Sequence, residues 1–184
     1  MRIYFGEKEG VKLFRLDPLN SAIVLSDFSC DLNEYNDYLY KDAIRSQNDH
    51  IARTWLLRER STGKIVAYMS LIMDAIKLSG AEKELHNLEY PFRTIPAMKI
   101  AKLAVDVRFS EKYKGIGSYM IEVAKGKALF CNEDCCAARF LTVDADVEHD
   151  SGVFAFYEKN GFAPNAELYS KGRKTISMRK DLYS

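Results

Sequence analysis

The sequence lacks a long apolar run. Within its 184 residues, no window reaches the roughly 18 consecutive apolar residues of a membrane-spanning helix. The opening stretch, MRIYFGEKEGVKLFRLD, has no apolar core followed by small residues, as a secretory signal would. We therefore expect no membrane partner, no export and a cytoplasmic location.

An excess of one charge sign is also absent. Lys and Arg number 27 against 26 Asp and Glu, for a formal net charge of +1. No overall field therefore draws the chain to nucleic acid or to anionic lipid, although a local basic patch stays open. With 47% hydrophobic and 29% charged residues, the composition is that of an ordinary globular protein, and residues 1–184 are predicted to form a single domain.

Cysteine is scarce, and its spacing is not that of a metal or disulfide framework. The 4 cysteines are Cys30, Cys131, Cys135 and Cys136, three of them within FCNEDCCAA at the end of a predicted helix. No paired C-x-x-C sets are present. We interpret them as reduced, mostly partly buried thiols and expect no metal; a zinc site is the less favoured alternative.

The glycine pattern KYKGIG lacks the features of two common phosphate-binding motifs. No Gly-Lys-Ser/Thr follows at Walker A spacing, and the third glycine of a dinucleotide fingerprint is missing. An ordinary packing turn between a strand and a helix therefore remains an alternative.

A strand, a polar loop and a helix are predicted over 100–120. Leu103, Val105 and Val107 alternate with polar or small residues, and the apolar spacing becomes helical after Gly117. Glycine at 115 and 117 permits close backbone approach, and the first N–H groups of a helix lack intrahelical acceptors. Lys112 and Lys114 add positive charge, and the Ser118 hydroxyl adds a hydrogen-bond donor. This arrangement suits a diphosphate.

The remaining chain is predicted to alternate strands and helices without repeats. We expect strands or a hairpin at 2–5 and 11–16, an amphipathic helix in 27–50 ending near Asn48, and an antiparallel hairpin from 52–60 and 63–73. An irregular excursion with one short helix follows at 75–96. A strand at 137–146, a helix at 151–162 stopped by Asn160 and Gly161, and a final strand containing Ile176 and Met178 complete the pattern.

Two segments together resemble the GNAT superfamily of acetyl-CoA-dependent N-acetyltransferases: AKLAVDVRFSEKYKGIG and, after one more strand, VFAFYEKNGF. The resemblance implies a mixed α/β (α+β) fold with a central, mostly antiparallel twisted sheet, a splayed middle strand and flanking helices. It implies acetyl-CoA as cosubstrate, with a tyrosine, here Tyr157, beside the thioester sulfur. The cofactor-binding positions would be Leu103, Ala104, Val105, Lys112, Tyr113, Lys114, Gly115, Ile116, Gly117 and Ser118.

The first half of the chain resembles one subgroup of this superfamily. DFSCDLNEYNDYLYKDA, followed by ARTWLLRE and VAYMSL, is similar to GNAT toxins of toxin-antitoxin pairs, which acetylate aminoacyl-tRNA. The compatible positions are Phe28, Cys30, Leu32, Asn33, Tyr38, Leu39, Arg53 and Thr54. The resemblance implies aminoacyl-tRNA and an antitoxin protein as partners, and a homodimer is a further option.

Four positions depart from the family pattern. Lys112 stands where Gln or Arg usually opens the phosphate loop, and lysine lacks the planar guanidinium fork. Asp150 stands where an Asn often contacts the cofactor, and Ser29 and Asp31 replace Asp and Gly of the opening motif.

The chemistry of acetyl transfer assigns roles to these residues. A neutral amine must attack the thioester carbon, and backbone N–H groups of Leu103–Val105 would bind the developing oxyanion. A phenol stays protonated at neutral pH, so Tyr157 would act as general acid to the leaving thiolate. Asp144 is a guess for the base. The acceptor is an unidentified primary amine, either on aminoacyl-tRNA or on a small molecule or protein; a CoA-binding module acting through a partner is the alternative from another class.

Overall fold

The computed structural model describes residues 13–25, 28–165 and 174–184. The strands predicted at 2–5 and in the first part of 11–16 lie outside the described residues. None of the helices within the described ranges is long and apolar enough to cross a bilayer.

The described residues contain seven strands: β1 (Phe14–Pro18), β2 (Arg53–Glu59), β3 (Ile65–Ile76), β4 (Ile95–Val105), β5 (Phe140–Asp146), β6 (Ala163–Pro164) and β7 (Thr175–Asp181). These strands form one sheet in the order β1-β2-β3-β4-β5-β7-β6. The helices are α1 (Asn33–Asp37), a π-helical turn (Tyr38–Asp42), α2 (Ala43–Asn48), α3 (Gly80–Leu85), α4 (Val107–Lys112), α5 (Ile116–Asp134) and α6 (Val153–Lys159).

The chain divides into two compact units. One comprises the described residues of Met1–Ile72 together with Ala101–Val123, and the other comprises Met73–Ile100 and Ala124–Ser184. The single domain predicted over 1–184 stays a prediction.

In the first unit, the β2–β3 hairpin carries the core. Its antiparallel register pairs Arg53 with Leu71 and Thr54 with Ser70, as the sequence predicts. The buried cluster around it contains Leu19, Phe28, Leu39, Ala43, Leu56, Ile65, Tyr68 and Ala104. Apolar residues of the opening motif, Phe28 and Leu39, therefore belong to this core.

The predicted helix over 27–50 begins later than the sequence suggests. Helix α1 starts at Asn33 after Leu32, whose side chain makes no capping hydrogen bond. The π-helical turn Tyr38–Asp42 then interrupts the α-helical pattern. The helix predicted as continuous over 27–50 therefore begins at Asn33 and contains a π-helical turn.

In the second unit, β4 and β5 pair over a short length. Their parallel ladder joins Ala97–Lys99 to Phe140–Thr142, although both strands continue beyond it. On its other side β5 pairs with β7 in antiparallel register along its whole length, from Phe140 to Asp146. This short ladder agrees with the splayed middle strand that the sequence predicts.

The short helix expected in the excursion is α3. Ser79 caps it, because its hydroxyl accepts from the Glu82 N–H (3.2 Å) while the Glu82 carboxylate accepts from the Ser79 N–H (2.8 Å). Such a reciprocal cap satisfies two N–H groups at once. Glu82 also pairs with Arg179 of β7 at 2.6 Å, which ties the excursion to the sheet of its own unit.

Candidate active site

The end of β4 leads into a capped helix, where the sequence predicts a polar loop. Asp106 follows Val105 directly and is fully buried. Its Oδ1 accepts a hydrogen bond from the Arg108 N–H at 2.9 Å, which starts helix α4 at Val107. The expectation of a continuous loop up to Gly115 was wrong, because this cap supports six residues of helix.

Asp106 also connects β4 to the opening motif. Its Oδ2 accepts from the Ser29 N–H at 3.0 Å, and the Ser29 carbonyl accepts from the Val107 N–H at 3.0 Å. The Arg108 guanidinium donates to both carboxylate oxygens, at 2.9 and 2.7 Å. Burial alone would raise the pKa of Asp106, but these hydrogen bonds outweigh it and lower the pKa below its ordinary value.

The predicted cofactor-binding residues Leu103, Ala104 and Val105 form the last residues of β4. Ala104 is buried, while Leu103 and Val105 are half-buried. Before them, the ammonium of Lys102 lies 4.5 Å from the ring centroid of Tyr35 and pairs with Glu34. This part of β4 is therefore fixed against helix α1.

Lys112, the last residue of α4, contacts an acidic side chain. Its Nζ lies 3.0 Å from Oε1 of Glu59, whose side chain is buried. The Tyr113 hydroxyl donates to the same oxygen at 3.1 Å, and the Thr62 hydroxyl donates to Oε2 at 2.7 Å. Burial would raise the pKa of Glu59, but hydrogen bonds from Thr62, Lys112 and Tyr113 lower it overall.

The same cluster affects the lysine. Hydrogen bonding with Tyr113 and then with Glu59 raises the pKa of Lys112 above its ordinary value. The ammonium is charged at neutral pH, and its side chain is 55% exposed. The charge of Lys112 therefore lies beside the loop that begins at Tyr113, although the ammonium is also paired with Glu59.

The glycine turn has the geometry that an anion-binding loop needs. Gly115 has φ of +92°, a left-handed conformation that residues with a side chain rarely adopt. Lys114 and Gly115 are exposed, whereas Tyr113 and Ile116 are buried on either side. The buried residues Tyr113 and Ile116 thus fix the two ends of an exposed turn.

Helix α5 starts directly after this turn. Its first residue is Ile116, two positions earlier than the sequence pattern indicates, and the Gly115 carbonyl accepts from the Tyr119 N–H at 3.0 Å. Gly117 and Ser118 lie half-buried in the first turn. The N–H groups of such a turn carry the positive end of the helix dipole. Together with Lys112 and Lys114, these residues fit a diphosphate.

Tyr157, the predicted catalytic residue, lies in the second unit. It is in helix α6 and is 6% exposed. Its ring makes edge-to-face contacts with Phe156 and Phe162, at centroid distances of 5.1 and 5.3 Å. These contacts fix the ring, and a Phe at this position would keep them.

The two ends of α6 are set by turn residues. Asp150 Oδ1 accepts from the Gly152 N–H at 2.8 Å, so this carboxylate forms a turn before the helix. At the other end Gly161 has φ of +83°, which confirms the left-handed helix end predicted at Asn160 and Gly161.

Asp144, the guessed base, lines a cavity in the second unit. The cavity measures about 410 Å³ and is also lined by Asp74, Lys99, Thr175 and Ser177. Lys99 Nζ lies 2.5 Å from Asp144 Oδ2, and the Thr142 hydroxyl donates to Asp74 Oδ2 at 2.6 Å. Asp74 and Asp144, together with Lys77 and Lys99, give this cavity a polar wall that carries both signs of charge.

Residues of the opening motif divide into structural and exposed groups. Asn36 accepts from the Cys30 N–H and donates to the Cys30 carbonyl, both at 2.9 Å. Thr54 is buried, with its hydroxyl 2.7 Å from that of Ser70. Arg53, by contrast, is exposed at the start of β2. Of the eight motif positions, Asn33 and Arg53 are the exposed ones.

Sequence reasoning missed Glu59, Asp106 and the cavity residues other than Asp144. A signal existed for Asp106, since an Asp directly before a helical segment is a common cap. Glu59 and Lys99 carry no local signal, because their partners Lys112 and Asp144 lie 53 and 45 positions away.

No family model matches this sequence, and no curated protein matches it. Solved structures do match. A tyrosine-to-phenylalanine mutant of KacT is 15% identical, with 91% of this chain and 95% of that chain covered and a TM-score of 0.74. AtaT complexed with acetyl-methionyl-tRNAfMet is 17% identical, with 89% and 93% covered and a TM-score of 0.73. AtaTR bound with AcCoA is 18% identical, with 91% and 94% covered and a TM-score of 0.70.

The chain has the fold of KacT and AtaT. The likeness extends over nearly the full length of each chain, and it confirms the mixed α/β fold class. At these identities it establishes the fold alone, so activity, acceptor and site residues are matters for proposal.

Proposed function

We propose that this protein is an acetyl-CoA-dependent N-acetyltransferase that acetylates the amino group of aminoacyl-tRNA. The observation that carries the proposal is the full-length likeness to AtaT, which has been solved with acetyl-methionyl-tRNAfMet. The left-handed turn at Gly115 before helix α5 supports the use of acetyl-CoA.

Acetyl-CoA would supply the acetyl group as a thioester. The N–H groups of Gly115–Ser118, with Lys112 and Lys114, would bind its diphosphate. The backbone of Leu103–Val105 would bind the acyl end and donate an N–H to its oxygen. Tyr157 would hold the proton that the leaving sulfur takes up. The acceptor amine gains the acetyl group and loses one proton.

The partner expected from the sequence also enters this proposal. AtaT has been solved bound to the C-terminus of the antitoxin AtaR, and we propose that an antitoxin likewise restrains this protein. Solved forms of KacT and AtaT include single tyrosine-to-phenylalanine mutants, which is the change proposed below for Tyr157. A single domain over 1–184 is part of the same proposal.

Calorimetric titration with acetyl-CoA, comparing Gly117→Glu with Gly126→Glu, tests the cofactor site. Both variants add one carboxylate to helix α5, and a Cβ at Gly126 meets nothing within 4 Å. We expect Gly117→Glu to abolish binding and Gly126→Glu to bind like the wild type. Equal binding by all three proteins would contradict the assignment of this loop.

Acceptor identity needs a second measurement. Transfer of labelled acetyl to a charged tRNA is compared with transfer to the free amino acid and to uncharged tRNA. We expect label only on the charged tRNA. Transfer to the free amino acid at the same rate would show that the acceptor is a small amine and not aminoacyl-tRNA. The protein would still be an acetyltransferase.

A further inference from the structure

Three of the four cysteines meet at the end of helix α5. The Sγ atoms of Cys131, Cys135 and Cys136 all lie within 4.8 Å of one another. The Cys131 and Cys136 sulfurs are 3.3 Å apart. Cys30 lies in the other unit, near Leu32, and takes no part in the cluster.

The backbone itself brings these thiols together. The carbonyl of Cys131 accepts hydrogen bonds from the N–H groups of Cys135 and Cys136, both at 2.9 Å. The chain therefore turns back over the last turn of the helix. The side chains of Cys135 and Cys136, which belong to that turn, therefore lie close to the side chain of Cys131 in the helix.

Asn132 fixes the turn from its other side. Its Oδ1 accepts from the Ala138 N–H at 2.6 Å, and its Nδ2 donates to the Ala138 carbonyl at 2.8 Å and to the Tyr183 hydroxyl at 2.7 Å. Ala138 is buried, and Phe140, which opens β5, is buried as well. The loop that carries Cys135 and Cys136 is thus anchored at both ends.

Ordinary roles for cysteine do not account for this cluster. Cys135 and Cys136 are exposed, so they are not packed as small apolar residues in a core. A disulfide would use two of the sulfurs and leave the third. Glu133 and Asp134, both exposed on the same turn, add negative charge that favours a cation.

We propose that Cys131, Cys135 and Cys136 bind one thiophilic metal cation through three thiolates. The chemistry suits a filled-shell ion: Cu(I) in trigonal coordination, or Zn(II) with water as fourth ligand. With Zn–S bonds of about 2.3 Å, the sulfurs of a tetrahedral site lie about 3.8 Å apart, which small side-chain rotations reach from the separations present here. Binding releases the three thiol protons.

Cadmium titration in a phosphine reductant tests the site, since Cd(II)–thiolate bonds absorb in the near ultraviolet. The variants are Cys135→Ser and Cys136→Ser, both exposed and therefore compatible with folding; the control is Cys30→Ser. We expect one Cd(II) per chain for wild type and control, with the absorbance of three thiolates, and at least tenfold weaker binding in either variant. Equal affinity in all four proteins, or one metal shared by two chains in native mass spectrometry, would overturn the proposal.

Competition with chromophoric chelators for Zn(II) and for Cu(I) then distinguishes the two ions by affinity. Thermal unfolding is the second readout, because an ion bound only by the native state stabilises it by RT ln(1 + [L]/Kd), so the midpoint rises with the logarithm of ion concentration above the dissociation constant. We expect the tighter ion to raise the midpoint of the wild type more than that of Cys136→Ser at the same ion concentration. An equal rise in both would refute the site. These readouts do not depend on acetyl transfer, so they stand whatever the outcome for the proposed enzyme.

Discussion

The ammonium of Lys112 lies 3.0 Å from the buried carboxylate of Glu59. This pair joins the end of helix α4 to the end of strand β2, and the Tyr113 hydroxyl donates to the same carboxylate oxygen. The residue that opens the proposed phosphate loop is therefore held by a neighbour that is 53 positions away. Lys112 supports the loop as well as contributing charge to it.

This relationship predicts the behaviour of a double-mutant cycle. Lys112→Met should lower the midpoint of urea unfolding, because Glu59 is left buried without its cation. Glu59→Gln combined with Lys112→Met should recover most of the loss, since a neutral amide needs no cation. Urea unfolding of the four proteins gives the coupling. Additive losses in the double variant would show that the pair does not act as a unit.

Because Gly115 has a positive φ, replacement of glycine by alanine is predicted to have opposite effects on stability at Gly115 and at Gly126. Gly115→Ala should destabilise by about 1–2 kcal/mol, although its Cβ would meet no atom within 4 Å, because an L-residue is strained at φ of +92°. Gly126→Ala, exposed within helix α5, should stabilise by about 0.5–1 kcal/mol. Denaturant unfolding measures both. Stabilisation by Gly115→Ala would refute the left-handed turn.

The sequence was sufficient wherever local pattern and tertiary structure agree. The β2–β3 hairpin, β5, α6 with its Gly161 end, and β7 follow from periodicity and turn residues. The sequence was insufficient where the local structure depends on a residue that is distant along the chain. Helix α4 has six residues and depends on Asp106, which also binds the Ser29 backbone 77 positions away. No periodicity reports such a contact.

The same reasoning applies to the candidate site. The glycine turn was predictable because left-handed backbone selects glycine. The partners of Lys112 and Asp144 were not, since ion pairs between strands and helices leave no spacing in the chain. The glycine turn was therefore predictable from the sequence, and the ion pairs of Lys112 and Asp144 were not.

The low pKa of Asp106 predicts an acid-sensitive contribution to stability. Its folded pKa is below the unfolded value near ~3.9, so the stabilisation is complete above that pH and is lost as pH falls through the folded pKa. Asp106→Asn should cost about 1–3 kcal/mol at pH 7 and clearly less at pH 3. Urea unfolding at both pH values measures the difference. Lys99→Met serves as control, since its partner Asp144 is largely exposed. A pH-independent penalty would show that the charge of Asp106 contributes nothing.

Arg53 is predicted to contact the phosphates of the proposed tRNA substrate. It is exposed at the start of β2, and each lost phosphate contact should reduce the salt dependence of binding by about one unit in the log–log slope. Arg53→Ala should weaken tRNA binding and leave acetyl-CoA affinity unchanged. Arg45→Ala, whose side chain is 81% exposed, is the matched control. An unchanged salt slope in Arg53→Ala would remove this residue from the interface.

Removal of the Tyr157 hydroxyl is predicted to affect catalysis alone. General acid catalysis contributes typically about 10²–10⁴-fold, so Tyr157→Phe should lower kcat by at least a factor of about 100. The ring contacts with Phe156 and Phe162 persist in the variant, so acetyl-CoA affinity and the unfolding midpoint should stay at wild-type values. Single-turnover acetyl transfer separates the chemical step from product release.

Tyr183→Phe provides the matched control, because it removes the hydroxyl of an exposed tyrosine at the C-terminal end of the described chain. Its kcat should equal that of the wild type. If Tyr157→Phe also retained full kcat, the proton on the leaving sulfur would have another source. If instead kcat fell together with acetyl-CoA affinity, the hydroxyl would be a binding group. A loss confined to kcat is what a general acid requires.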